Sequence, residues 1–598
     1  MRLSSLPLTA CLLAAVAAAA SPAPLSASAA GNSSYYNPVL PGWHSDPSCA
    51  QVDGTFYCVT STFISFPGLP VYASRDLRNW KLVSHAWHRE SQLPGASANT
   101  TGQQQGMYAA TLRHRDGLFY VICEYLGDRG GDGNLGVVFM SPDPFDEPAW
   151  SDPVTFRTSL IDPDLFWDDD GRTYVATQGV VLQEIDLATG ELSQPPVSLW
   201  NGTGGVWPEG PHLYKKDGWY YLMIAEGGTE TNHSITIARS RALKGPYEAY
   251  EHNPILTNRG TDEYFQTVGH GDLFQDAAGN WWGMCLATRS GPAWEVYPMG
   301  REAVLFPVTW DEGAWPVLQP VRGTMSGWAL PPPTRDLPGD GPFNSDDDAY
   351  DFVAEEAGTA LPRNLVHWRV PRAGAFSTTA SGLRVVPSRN NLTGHPFSDT
   401  APELTGQAGL SFVGRRQTHT LFEFSVDVAF APRSAGQEAG VTVFLTQADH
   451  IDLGLVLLAP NDDNGSDAYA DAEPRLRLAL RFRAEGTGGP PAPVTVPVPR
   501  AWEGRKIRLQ IRAADATRYT LAAMPVGNPG ARLVVGTASA ALVSGGNGSF
   551  VGSLVGAYAT CNGAGSGLVC PPGGDAYFTR WRYHGEAQYI SATESVLF

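Results

Sequence analysis

The sequence predicts an all-β protein, a five-bladed β-propeller followed by a β-sandwich. Three observations predict it. Helical periodicity is scarce, and short β-branched and aromatic runs alternate with Gly, Pro, Asn and Asp. A turn-plus-aromatic-strand unit recurs five times in the first half of the chain. The repeat then stops after Arg301–Trp310, and a Pro-rich stretch separates it from a second region of alternating strands.

Taken in order, residues 1–20 read as a signal peptide, with cleavage as late as residue 30. Arg2 precedes an apolar, alanine-rich run from Leu6 to Ala20, too short for a comfortable membrane span. The expected product is secreted. The roughly 570 residues that remain exceed one hydrophobic core, so at least two domains are expected. Acidic residues outnumber basic ones, 60 to 41, for a formal net charge of −19. That balance disfavours nucleic acid and anionic membranes as partners and suits a neutral polymer.

The repeat, over residues 35–328, rests on tight turns. The units are Asp53-Gly54-Thr-Phe-Tyr57, Asp116-Gly117-Leu-Phe-Tyr120, Asp170-Gly171-Arg-Thr-Tyr174, Asp217-Gly218-Trp-Tyr-Tyr221 and Gly279-Asn-Trp-Trp282. Asp-Gly between extended segments is a strong hairpin signal, because glycine accepts the positive φ such turns need. A short segment precedes each turn, led by Asp46, Tyr108, Asp162, Glu209 and His270. The lead residue lies eight positions before the turn glycine in the first unit and nine in the others, which predicts five equivalent positions ringing the propeller axis. A lone Asp more often caps a turn. Three carboxylates in register around one ring point instead to a site.

Residues 329–345, with Pro331-Pro-Pro333 and Pro338, read as a stiff linker, and 346–598 as the sandwich domain. Strand candidates there include 420–429, 440–445, 475–482 and 506–512. The polar stretch 461–471 reads as a loop, a solvated turn or a Ca²⁺ holder. Without Cys11 in the leader, six cysteines remain, an even count that permits disulfides in a secreted chain. Cys561 and Cys570 bracket a Gly-rich loop and are the first candidates for a pair. Asn-X-Ser/Thr sequons at Asn32, Asn99, Asn201, Asn232, Asn391, Asn464 and Asn547 are glycosylation candidates.

Several motifs together resemble family 43 of the glycoside hydrolases, in the branch with a C-terminal concanavalin-like sandwich. They are Asn37-Pro-Val-Leu-Pro-Gly-Trp-His-Ser-Asp46-Pro-Ser, Ser61-Thr-Phe-Ile-Ser-Phe-Pro-Gly68, Ile161-Asp162-Pro-Asp-Leu-Phe166, Glu209-Gly-Pro-His-Leu-Tyr214, Ala225-Glu-Gly-Gly-Thr229 and Gly300-Arg301-Glu302. The resemblance implies a fungal-type secreted enzyme acting on xylan, arabinoxylan or xylo-oligosaccharides. It implies a β-1,4-xylosidase, an α-L-arabinofuranosidase, or both, working by inversion. It assigns Asp46 as general base, Glu209 as general acid and Asp162 as the group that tunes the acid's pKa and orients the site. Arg301, Phe63 and His270 match sugar-binding positions. Trp43 and Trp207 flank the acids in sequence, with stacking on sugar and packing equally open. Two departures stand out. Tyr108-Ala-Ala-Thr111 replaces a frequent Trp-Ala-Pro-His, and Leu554 aligns with an aromatic residue that the sandwich sends toward the site.

Such chemistry needs no cofactor. One carboxyl protonates the leaving oxygen and another activates water, so their environments must differ. No zinc-type ligand spacing is present, although a structural Ca²⁺ near His270 or in the sandwich fits the expectation. Two rivals stay open: a catalytically dead carbohydrate-binding propeller and an endo-acting arabinanase.

Overall fold

The computed structural model describes residues 33–127, 134–158, 160–394, 405, 408–459 and 476–597. The leader, Asn32, Asn464 and the 461–471 stretch lie outside the described residues.

Five four-stranded antiparallel sheets follow one another along the chain, each strand pairing with its neighbour in sequence. Their innermost strands are Ser48–Val52, Gly106–Arg115, Asp164–Trp167, Glu209–Lys216 and Phe265–Gln275. This is the five-bladed propeller. Each Gly of the recurring turns holds a positive φ, between 71° and 86°, with nothing within 4 Å of a would-be Cβ at four of the five; backbone conformation rather than space selects glycine there. At the start of the propeller, Ser33–Tyr36 pairs with Thr324–Gly327.

The five lead residues are not fully equivalent. A left-handed backbone residue opens every blade, at Asp46, Ala109, Asp162, Gly210 and His270. In blades two and four it follows the lead residue, within a bulge between Tyr108 and Thr111 and between Glu209 and His212; blade five is also irregular around His270, yet there the two coincide. Tyr108 and Glu209 therefore sit one step ahead of the ring that Asp46, Asp162 and His270 share.

The second region is a sandwich of a nine-stranded and an eight-stranded sheet. Observed strands Leu421–Phe430, Glu438–Thr446, Arg477–Glu485 and Ile507–Asp515 cover the expected candidates. The eight-stranded sheet ends on a strand from the propeller: Ser65–Phe66 pairs with His367 and Trp368. Propeller residues Trp43, Phe63 and Ile64 belong to the sandwich's apolar core. The Pro-rich segment runs along blade one, where Lys81 Nζ donates to Leu337 O at 3.1 Å, and the amides of Leu82 and Thr334 donate to Pro342 O and Asp76.

Disulfides join Cys561 to Cys570 and Cys49 to Cys58. Cys49 and Cys58 face each other across the first hairpin. Cys123 and Cys285 are buried thiols. Of the sequons, Asn201 and Asn232 are exposed, while Asn99, Asn391 and Asn547 are half-buried. Among the described residues, no helix is long and apolar enough to cross a membrane.

Candidate active site

A small pocket at the mouth of the channel is lined by Asp46, Phe63, Tyr108, Ile161, Asp162, Glu209, Thr229, His270, Arg301 and Phe550. Three carboxylates, contributed by blades one, three and four, thus converge on one cavity of about 60 Å³. The local backbone is unusual. Asp46, Phe63, Asp162 and His270 all have positive φ, a strain of roughly 1–3 kcal/mol each that persists only where the surroundings enforce it. Gly210 has φ +56°, and a Cβ there would lie 3.0 Å from the His270 ring, so the residue after Glu209 must be small and left-handed.

Asp46 is held on three sides. Arg301 Nη1 lies 3.1 Å from Oδ1, Ser61 Oγ donates to Oδ2 at 2.7 Å, and His270 Nδ1 is 3.5 Å from Oδ1. Burial alone would raise its pKa, but Arg301 first, then His270 and Ser61, outweigh burial and hold it below the ordinary carboxylate value. Glu209 behaves oppositely. Burial, and then the charge of Asp46, push it up to about 7, against a single hydrogen bond from Gln178 Nε2 at 3.2 Å. Asp162 accepts the Gly210 amide at 3.0 Å, and burial, then Glu209 and Asp46, raise it well above its ordinary value. Burial and neighbouring charge thus move Asp46 one way and Glu209 and Asp162 the other. Burial and Asp46, more than Asp162, raise Glu209. His270 is pushed down to about 4, chiefly by burial, and stays neutral.

Aromatic rings close the walls. Phe63 stacks on Phe550 with centroids 5.9 Å apart and meets Tyr108 edge-on at 4.5 Å. The Arg301 guanidinium lies 5.3 Å from the rings of both Phe63 and Phe550 and donates to Phe550 O. Phe550 comes from the sandwich, and its amide donates to Gln104 of the propeller at 2.8 Å. The expected residue was Leu554. That side chain is fully buried in the sandwich core, in strand Leu554–Thr560, and Phe550, four residues earlier in the preceding loop, takes the wall.

The two flanking tryptophans separate cleanly. Trp43 is 0 % exposed, stacked behind Phe63 with its Nε1 on Ser45, so it packs and offers no face to a ligand. Trp207 is 65 % exposed. Ser61, Gln178, Thr229 and Phe550 were not singled out from sequence. Ser61 and Thr229 lie inside motifs quoted above and mark the ends of strands facing the acids; Gln178 and Phe550 carry no local signal. Among the described residues, no group of three or more His, Cys, Asp or Glu side chains is arranged to hold a metal ion.

A propeller whose channel mouth pairs a carboxyl held low with one pushed up to about 7, in one small walled pocket, has the arrangement of a glycosidase. The comparisons give the family. Residues 35–316 match the model of glycosyl hydrolases family 43, and residues 357–584 match the β-xylosidase C-terminal concanavalin A-like domain. The chain is 34 % identical over 538 residues to the non-reducing end α-L-arabinofuranosidase BoGH43B of Bacteroides ovatus, covering 88 % of this chain and 92 % of that one. It is 33 % identical to a xylosidase/arabinosidase of Butyrivibrio fibrisolvens, over 70 % of this chain and 79 % of the relative. The chain belongs to family 43 of the glycosyl hydrolases. Among solved structures, the Bacteroides ovatus xyloglucan PUL GH43B superposes with a TM-score of 0.76 at 31 % identity, covering 92 % and 99 % of the two chains. The xylan β-1,4-xylosidase of Bacillus halodurans gives 0.74 at 28 %, with the same coverage. Relatives are mostly bacterial, so the fungal character expected from the sequence finds no support in them.

Proposed function

We propose that this chain is a secreted, exo-acting hemicellulase that releases single pentose units, β-1,4-linked xylose or α-L-arabinofuranose, by inversion. One observation carries the reading: Phe550 of the sandwich and Phe63 of the propeller wall off the channel mouth, leaving a cavity far smaller than the roughly 300 Å³ lower end of ordinary ligand sites. Such a pocket takes a chain end or a side group rather than the middle of a polymer, which disfavours the endo-acting rival.

In this reading Asp46, ionised beside Arg301, is the general base that takes a proton from water. Glu209, protonated up to about pH 7, gives its proton to the glycosidic oxygen. Asp162 fixes the start of Glu209's strand through the Gly210 amide and titrates jointly with Glu209. Arg301 both anchors Asp46 and presents a guanidinium to sugar hydroxyls. His270, neutral, offers a hydrogen-bonding nitrogen to the sugar. No metal is required, because carboxyl groups supply both proton transfers.

Xylosidase action is the first reading. Arabinofuranosidase action on side chains is the second, favoured by the similarity to the Bacteroides ovatus arabinofuranosidase across most of both chains. A product profile on xylobiose, arabinoxylan and debranched arabinan separates them. Xylose from xylobiose supports the first, and arabinose alone from arabinoxylan supports the second. Oligosaccharides from debranched arabinan, or no product from any of the three, sink both.

A further inference from the structure

The loop 200–208 carries Val206 and Trp207, 61 % and 65 % exposed, next to Glu209. Two consecutive exposed apolar side chains at a pocket rim are unusual for a surface free of ligand. Trp207 is moreover held at φ +53°, a conformation that disfavours a bulky residue.

The loop is rigidly built. Val206 O accepts the Gly227 amide at 2.8 Å, and Pro208 O accepts the Gly179 amide at 2.9 Å, so Trp207 sits between two backbone anchors. Beneath it the buried Glu226 carboxylate accepts hydrogen bonds from Thr203 N, Thr203 Oγ, Gly205 N and Thr236 Oγ, at 2.6 to 3.0 Å. A Cβ on Gly202 would come within 2.5 Å of that carboxylate. Three of these donors belong to the loop, and the fourth, Thr236, ties the carboxylate to strand Ser234–Ser240. Trp207 Cδ1 lies beside Gly228, whose neighbour Thr229 lines the pocket and binds Arg301. The indole thus lies outside the pocket lining but next to two residues, Gly228 and Pro208, that adjoin its wall residues Thr229 and Glu209.

Resting on the glycosidase reading above, we propose that Trp207, on the platform clamped by Glu226, is the binding surface for the leaving-group sugar. The chemistry dictates the side. A general acid must reach the bridging oxygen, so the departing ring emerges past Glu209, and the nearest exposed aromatic face is Trp207. The occupant is a sugar ring of the residual saccharide, whose C–H face stacks on the indole. Trp207 acts on specificity, and Glu226 is a positioning residue that acts through it.

The test compares two leaving groups in the full-length protein: xylobiose or an arabinosylated oligosaccharide, whose leaving group is a sugar, and the matching glycosyl fluoride, which has none. Trp207→Ala should lower kcat/KM on the sugar leaving group by roughly 3- to 10-fold, the factor ring stacking contributes, and leave the fluoride within about twofold. Trp207→Phe should recover most of the loss. Glu226→Gln should reproduce the same substrate-selective loss, mainly through KM. Equal losses on both substrates, or no loss on either, overturn the platform while leaving the glycosidase reading intact. A wild-type protein inactive on every substrate overturns the reading and the platform together.

Discussion

The mouth of the propeller channel sets Asp46, Asp162 and Glu209 against one guanidinium, Arg301. Two residues beyond Asp162 and two beyond His270, Asp164 and Asp272 share another, Arg113, at 2.8 and 2.6 Å, with Tyr214 and Ser48 donating to Asp272 as well. The residue types are alike, yet the lower layer is more closely paired. Burial would raise Asp272, but Arg113 first and His212 next hold it well below the carboxylate range. The upper layer sets three acids against one guanidinium, and burial raises Glu209 to about 7 and Asp162 well above its ordinary value. Supplying or withholding a cation turns one motif into a structural latch or a source of protons.

Breaking the upper layer should have the largest effect. Asp46→Ala should cut kcat/KM on all substrates by on the order of 10²–10⁴, since every leaving group needs activated water. Glu209→Ala should harm xylobiose far more than an aryl glycoside of low phenol pKa, which scarcely needs protonation. If the dependence on leaving group appears in Asp46→Ala instead, acid and base are reversed. The lower layer should respond in stability. Arg113→Met leaves two buried carboxylates unpaired and should cost roughly 3–5 kcal/mol in denaturant unfolding. An unchanged midpoint would contradict the latch.

The pH profile sharpens the contrast. In the proposed mechanism Glu209 acts while protonated, so activity should fall as pH rises through about 7, while Asp46, held low by Arg301, should stay ionised well into acid. Asp162→Asn should move the alkaline limb to lower pH. A coupled pair sheds its second proton at higher pH than one acid alone. A limb that stays put would assign Asp162 to geometry only.

A last test lies behind the pocket. Glu124, opposite Tyr108 across the strands, is fully buried, and neither oxygen has a hydrogen-bond partner. Burial, then Asp162, push it up to about 10. The folded chain thus keeps a proton that the unfolded chain releases near 4.5, so its stability falls as pH rises from that value toward 10. Glu124→Gln removes this dependence. Its stability advantage over wild type should widen between about pH 5 and about pH 9 in paired melts; a constant difference would show that Glu124 titrates normally.

Much of this architecture was legible in sequence because it repeats. Asp-Gly turns and the aromatic strands after them mark five hairpins, and the residues ahead of them lead to the pocket. What spacing could not reveal is local irregularity. At Tyr108 and Glu209 the left-handed residue that opens the blade falls one place later, with no clear change in the count to the turn. Phe550 was invisible because its place depends on how a loop of one domain meets the wall of another; the motif around Leu554 pointed to the neighbouring strand instead. Trp43 and Trp207 look alike beside their acids, and only burial, decided by Phe63 on one side and open solvent on the other, tells them apart. The pairing of Cys49 with Cys58 follows once the first hairpin's register is known.

The two-residue strand Ser65–Phe66 has a consequence for how such a chain assembles and diversifies. It seals an otherwise open sheet edge in the sandwich, and it directly follows Phe63, a wall of the pocket. The downstream half therefore completes its hydrogen bonding only after blade one has formed, and the two halves should melt in a single transition. Recombination that exchanged either half as a cassette would uncover a sheet edge and displace a wall of the pocket in the same event.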